Sequence, residues 1–170
     1  MSDAVVFSSR TGNTRTVAAY LAERLSLPLF SVNELSRCRF DRLILGFWTW
    51  RGGPDPAMRS FMERLRGASV FFFGTMTARP DSDHAARCAQ RTVSLLENGG
   101  CRVIGHFFCQ GRLDPQVFER SAHPRTPQRL ALIREASVHP DVQDCRMAEY
   151  AVRKALGPTC PRKTTEQSFP

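Results

Sequence analysis

None of the six cysteines stands in C-x-x-C spacing and no paired histidines accompany them, so the sequence offers no ligand set for zinc and no metal is expected. Cys38 and Cys88 read as partly buried thiols beside helices, and Cys101 and Cys109 bracket an apolar strand, the usage of a reducing compartment. No apolar stretch approaches the roughly 20 residues of a membrane span, and no basic segment followed by an apolar one opens the chain. Insertion and secretion are therefore not expected, and the chain reads as cytoplasmic. Lysine is nearly missing: of 24 basic residues, all but Lys154 and Lys163 are arginine. Against 16 acidic residues this leaves a net charge of +8, which suits an anionic cofactor, an acidic protein partner or nucleic acid. The arginines are scattered rather than gathered in one run and no recognised nucleic-acid motif accompanies them, so nucleic acid is the weakest of the three.

What is present is an alternation of strand and helix signals. The 170 residues, 42% of them hydrophobic, suit a single domain, expected over 1–156, with 157–170 a Pro-rich and mobile tail. Ala4–Ser8 is a short apolar run. It is followed over Asn13–Leu25 by Val17, Leu21 and Leu25 at helical spacing. Leu27–Val32 reads as a second strand, with a turn or two of helix over Asn33–Arg37. Arg42–Trp48 and Ser69–Met76 are unbroken apolar runs, as expected of strands covered on both faces. Between them Pro56–Arg66 is a helix with Asp55 as N-cap and proline at the first position. A helix over Asp83–Glu97 stops at Gly99–Gly100, and Cys101–Phe108 supplies the fifth strand. Beyond it lie a weak turn at Asp114–Arg120 and helices over Pro127–Ser137 and Val142–Leu156.

Five strands alternating with helices imply an α/β fold, a doubly wound three-layer sandwich with a five-stranded parallel sheet in the order 2-1-3-4-5. In that order winding reverses between the first and third strands, and ligands bind at their carboxyl ends. The loops placed there are Ser8–Thr14 and Trp48–Asp55.

The first of these, "SSRTGNT", leads into a helix N-terminus, where unpaired N–H groups and a partial positive charge favour an anion. Hydroxyls of Ser9, Thr11 and Thr14 add donors, and Gly12 lets the backbone approach. Ordinary helix capping explains the same residues. Neither a Walker loop nor a dinucleotide fingerprint matches, because the loop has one glycine and no lysine. A receiver domain would need acids where Ser9–Arg10 and Phe47–Trp48 stand, and a low-molecular-weight tyrosine phosphatase would need a cysteine in the first loop. The second loop, "FWTWRGGPD", holds both tryptophans of the chain beside an arginine and a glycine pair. A planar ring near a phosphate anchor is what flavin mononucleotide (FMN) requires, since its isoalloxazine needs an aromatic face. Trp48 reads equally as a plug at the end of the core; Trp50 is the better candidate for ring contact.

"SSRTGNT" resembles the phosphate loop of the flavodoxin family, and "LILGFWTWRGGPD" resembles the strand and loop that present its stacking tryptophan. The resemblance runs from Ala4 to about Leu156 and implies FMN held non-covalently. Residue by residue it implies that Ser9, Arg10, Thr11, Gly12, Asn13 and Thr14 wrap the phosphate and that Thr49 and Trp50 are the flavin-contacting pair after the third strand. Beside them, Trp48 and Arg51, and Thr75, Met76 and Thr77 at the end of the fourth strand, are further candidates to line the ring.

Two features depart from the family pattern: flavodoxins are typically acidic, and they carry a second aromatic after the fourth strand, where "GTMTARPDSDHA" has none. The second flavin face is therefore expected to be partly open, with Met76, Thr77, Arg79 or His84 nearby and the loop Cys109–Pro115 at the edge. Arginines near the ring (Arg51, Arg79, Arg112) are expected to favour the anionic reduced flavin. The function expected first is electron carriage between a reductase and a redox partner protein with an acidic surface. The alternatives are an FMN-dependent reductase of a small conjugated acceptor, of quinone or tetrapyrrole type, and a flavin-free scaffold for an acidic partner.

Overall fold

The computed structural model describes residues 2–35 and 39–157. Cys38, Cys160 and the tail after Gly157 lie outside the described residues, as do Ser36 and Arg37 at the end of the expected helical turn. The strands are β1 (Asp3–Phe7), β2 (Leu29–Ser31), β3 (Arg42–Trp50), β4 (Gly53–Pro54), β5 (Ser69–Met76) and β6 (Arg102–Gln110). The helices are α1 (Asn13–Leu25), α2 (Pro56–Arg64), α3 (Asp83–Asn98), α4 (Pro115–Arg120), α5 (Pro127–Ala136) and α6 (Val142–Leu156). Five strands form a parallel sheet in the order β2-β1-β3-β5-β6, and the two-residue β4 folds back antiparallel on the end of β3. With β4 set aside, this is the expected 2-1-3-4-5 sheet.

Helices cover both faces of the sheet. Because successive side chains of a strand point to opposite faces, the apolar runs divide between two cores. Ala4, Val6, Leu43, Leu45, Phe47, Val70 and Phe72 pack with Met58, Phe61 and Met62 of α2 and Cys88 and Leu96 of α3. Val5, Ile44, Phe71 and Phe73 pack with Val17 and Leu21 of α1 and Ala148 and Val152 of α6. Phe47, Phe71, Phe72 and Phe73 are wholly buried, each contributing about 2–3 kcal/mol of transfer free energy. Gly46 makes room for one of them: a Cβ there would lie 2.2 Å from Cζ of Phe73. Cys88 is fully buried, not partly, and burial pushes its thiol up to about 11.

Several boundaries differ from expectation, three of them at β2, β3 and β6. β2 starts at Leu29 and is followed by a short 3₁₀ turn over Val32–Glu34, one residue ahead of the helical turn expected from Asn33. Ser31 and Glu34 open that turn as a reciprocal capping box, and the extended backbone of Leu35 ends it after three residues. β3 continues through Trp50, since the segment expected to be an open loop is a tight hairpin. β6 continues to Gln110, where it still pairs with Met76.

Candidate functional site

The site begins where β1 ends. Gly12 takes φ of 96° as N-cap of α1, a conformation that favours glycine, and its N–H donates to Ser9 Oγ at 3.2 Å. No side chain caps α1 and no acid lies in its first turn. Each of the other α-helices described has an Asp, Ser or Thr N-cap whose oxygen accepts from the first turn. α1 alone thus presents first-turn N–H groups without a side-chain acceptor.

The end of β3 is held by a buried tether and a pinned turn. Ser8 Oγ donates to Asp55 Oδ1 at 2.8 Å, and that same oxygen accepts from the N–H groups of Ala57 and Met58, starting α2. Burial raises the Asp55 carboxyl above its ordinary value, against the hydrogen bonds from Ser8, Met58 and Ala57, and its Oδ2 is buried without a partner. Between β3 and β4, Arg51 and Gly52 form a two-residue turn with φ of 50° and 77°, both positive as a primed hairpin turn requires. Arg91 of α3 reaches the Arg51 and Gly52 carbonyls at 3.4 and 3.3 Å. The turn holds Trp50 at 42% exposure, with the Arg51 guanidinium 4.5 Å from its ring centre.

The ends of β5 and β6 complete the floor. Thr14 and Thr75 share a buried hydroxyl hydrogen bond of 2.9 Å, joining the first turn of α1 to β5. Gly111 donates its N–H to the Met76 carbonyl at 2.8 Å, and the Asn13 amide donates to the Arg112 carbonyl at 2.8 Å. The chain leaving β6 therefore crosses back toward α1. Arg10 meets Asp114 at 3.6 Å on the way.

These four loops and the segment beyond them enclose a cavity of about 780 Å³, near the upper end of the usual ligand range of roughly 300–1,000 Å³. Of the residues expected at the site, Arg10, Thr11, Asn13, Trp48, Thr49, Trp50, Arg51, Thr75, Met76 and Thr77 line it. Ser9, Gly12 and Thr14 do not: the Ser9 hydroxyl is turned to the Gly12 N–H, and the Thr14 hydroxyl is engaged with Thr75. Trp48 is half-buried yet faces the cavity, so it does more than plug the core. His84 and the loop Gly111–Asp114 lie on the lining, whereas Arg79 is outside it, beside Asp81 at 3.3 Å.

The sequence reading missed the far wall. Gln116, Val117, Arg120, His123 and Arg129 line the cavity from the connection between β6 and α6. One signal pointed there: from Gln110 to Val142 that connection far exceeds the roughly 2–6 residues of an ordinary strand-to-helix loop. Elsewhere, His139, Asp141 and Asp144 bring three ligand atoms within 4.8 Å of one another, but their oxygens serve as the capping box of α6. The main cavity therefore joins an uncapped helix N-terminus to a half-exposed indole across the sheet, a fit for an anion carried on a planar ring.

Comparison with known proteins supports the same architecture. Residues 4–153 match the family described as "Flavodoxin domain". The flavodoxin-like domain-containing protein BilS of Clostridioides difficile (strain CD3) is 26% identical over 92% of this chain and 97% of its own. A flavodoxin from the domain Archaea superposes with a TM-score of 0.52 at 14% identity, covering 92% of this chain and 100% of that one. A Lactobacillus acidophilus flavoprotein solved in complex with FMN gives a TM-score of 0.50 at 11% identity, over 72% and 99%. With the family match spanning all five parallel strands and the two loops at the switch point, the chain belongs to the flavodoxin domain family.

Proposed function

We propose that this protein binds FMN in the cavity and works as an electron carrier between a reductase and a protein partner with an acidic surface. The observation that carries the reading is the junction of the uncapped α1 N-terminus with Trp50 in one cavity at the carboxyl ends of β1 and β3. FMN bound there supplies reversible one- and two-electron chemistry. This chain's residues do the rest. The first-turn N–H groups of α1, with Thr11 and Arg10, receive the phosphate. Trp50, its orientation fixed by the Arg91-pinned turn, presents an aromatic face to the ring, and Trp48 and Met76 exclude water beside it. No group on this list needs to exchange a proton with a substrate, which suits a carrier.

A second reading, an FMN-dependent reductase of a small conjugated acceptor, draws support from the extension of the cavity beneath α4, where a carrier needs no space. Adding FMN to the protein and following the flavin absorbance tests the shared premise; an unchanged spectrum overturns both. Consumption of NAD(P)H with a small acceptor and no partner protein favours the reductase. Arg51, against Trp50, and Arg112 both line the cavity, so both one-electron potentials are expected above those of acidic flavodoxins. Equally negative potentials would remove the arginines from that role.

A further inference from the structure

The far wall of the cavity is cationic beyond what one phosphate uses. Five arginines line the cavity (Arg10, Arg51, Arg112, Arg120 and Arg129), and the single lining carboxylate, Asp114, is already beside Arg10. A phosphate carries about −1.5 to −2 charges at neutral pH. With Asp114 it balances about three of the five, leaving a surplus of about two. Elsewhere Arg24, Arg42, Arg59, Arg79 and Arg153 each meet a carboxylate, whereas others such as Arg15, Arg87 and Arg134 meet none among the described residues; Arg120 and Arg129 are set apart by lining the cavity. Inside the cavity, Arg120 and Arg129 have no acidic partner among the described residues. Arg129 is held in place by its bond to Ser121 Oγ at 3.1 Å, with its other donors free for a ligand.

The donors on this wall differ from those on the opposite one. The α1 side offers backbone N–H groups at a helix N-terminus, which suit a tetrahedral phosphate. The α4–α5 side offers guanidinium forks, which match a planar carboxylate through paired hydrogen bonds. Leu113 and Val117 lie on the same connection, and with Ala78 after β5 they line the cavity and supply apolar contact for a ring.

We propose that this wall is a second anion site, formed by Arg120 and Arg129, which binds the carboxylate of a small planar conjugated molecule. Its position beside a flavin rests on the FMN reading above; the anion site itself does not. The ligand enters the space under α4, its carboxylate on the guanidinium pair and its ring against the apolar lining.

Anthraquinone-2-carboxylate and its neutral carboxamide, titrated calorimetrically into FMN-loaded and FMN-free protein, test this. The carboxylate should bind at least tenfold more tightly than the amide, and the preference should weaken with added salt. The double variant Arg120→Gln, Arg129→Gln should lose that preference while keeping the wild-type unfolding midpoint and FMN affinity. A preference retained in FMN-free protein upholds the anion site even where FMN fails to bind. Equal binding of acid and amide overturns the proposal, as does a double variant that still prefers the acid. Displacement of the probe by equimolar inorganic phosphate overturns the assignment to carboxylates.

Discussion

The two walls of the cavity are built in different ways. The strand-end wall is continuous with the core: Ser8 is tied to Asp55, Thr14 to Thr75 and the hairpin turn to Arg91, and the side chains of Thr14, Asp55 and Thr75 are buried. The outer wall hangs on the long connection from β6 to α6. There α4 has no buried residue and α5 has only Ala136. Its ties to the body are few, among them the Arg112 N–H to the His139 carbonyl at 3.0 Å and the Asn13 amide to the Arg112 carbonyl. A wall that shares its residues with the core opens only with global unfolding, whereas one with little buried area opens locally at low cost. The contrast assigns the invariant part of binding to the first wall and the adaptable part to the second.

The most severe way to break the contrast is Gly46→Ala. A methyl 2.2 Å from the Phe73 ring forces the core to move and should cost about 3 kcal/mol in urea unfolding. A loss below about 1 kcal/mol would show that the strand-end wall yields more easily than its packing indicates. Next, Asp55→Ala removes the α2 cap and orphans the Ser8 hydroxyl, for an expected loss of about 2 kcal/mol by the same measurement. Trp50→Ala should weaken FMN about tenfold, or about 1.4 kcal/mol, in a fluorescence titration without changing stability comparably. Unchanged affinity would take Trp50 out of the site.

The smallest effect is expected on the outer wall. Asp114→Ala removes the α4 cap and the Arg10 pair, yet should change global stability by less than about 0.5 kcal/mol, because the pair is partly solvated and α4 frays without the core. Faster amide exchange confined to residues 116–120 would sharpen the comparison. A loss as large as that of Asp55→Ala would erase it.

Much of the first wall was legible in residue order. Asp55-Pro56 marked the start of α2, and the apolar runs at Arg42 and Ser69 marked strands covered on both faces. The loops Ser8–Thr14 and Trp48–Asp55 followed from the switch point, because a parallel sheet in this order has one place where winding reverses. Less legible was the work of single side chains. Thr14 and Ser9 read as anion donors; the Thr14 hydroxyl pairs with Thr75, distant in the chain, and the Ser9 oxygen accepts from the Gly12 N–H in a local turn, which leaves its own hydrogen free to donate. The hairpin after Trp50 was also missed: Arg51 occupies a left-handed position that propensity assigns to Gly or Asn, and Arg91, forty positions away, secures it.

Sequence alone determined the fold class, the two loops at the switch point and the excess of arginine, since periodicity, capping residues and composition are local properties. Only the tertiary structure decided which partners the loop hydroxyls take, that Trp48 and Trp50 both face one cavity, and that Arg120 and Arg129 close its far side. Those outcomes depend on contacts between segments far apart in the chain, which hydrophobic periodicity does not encode.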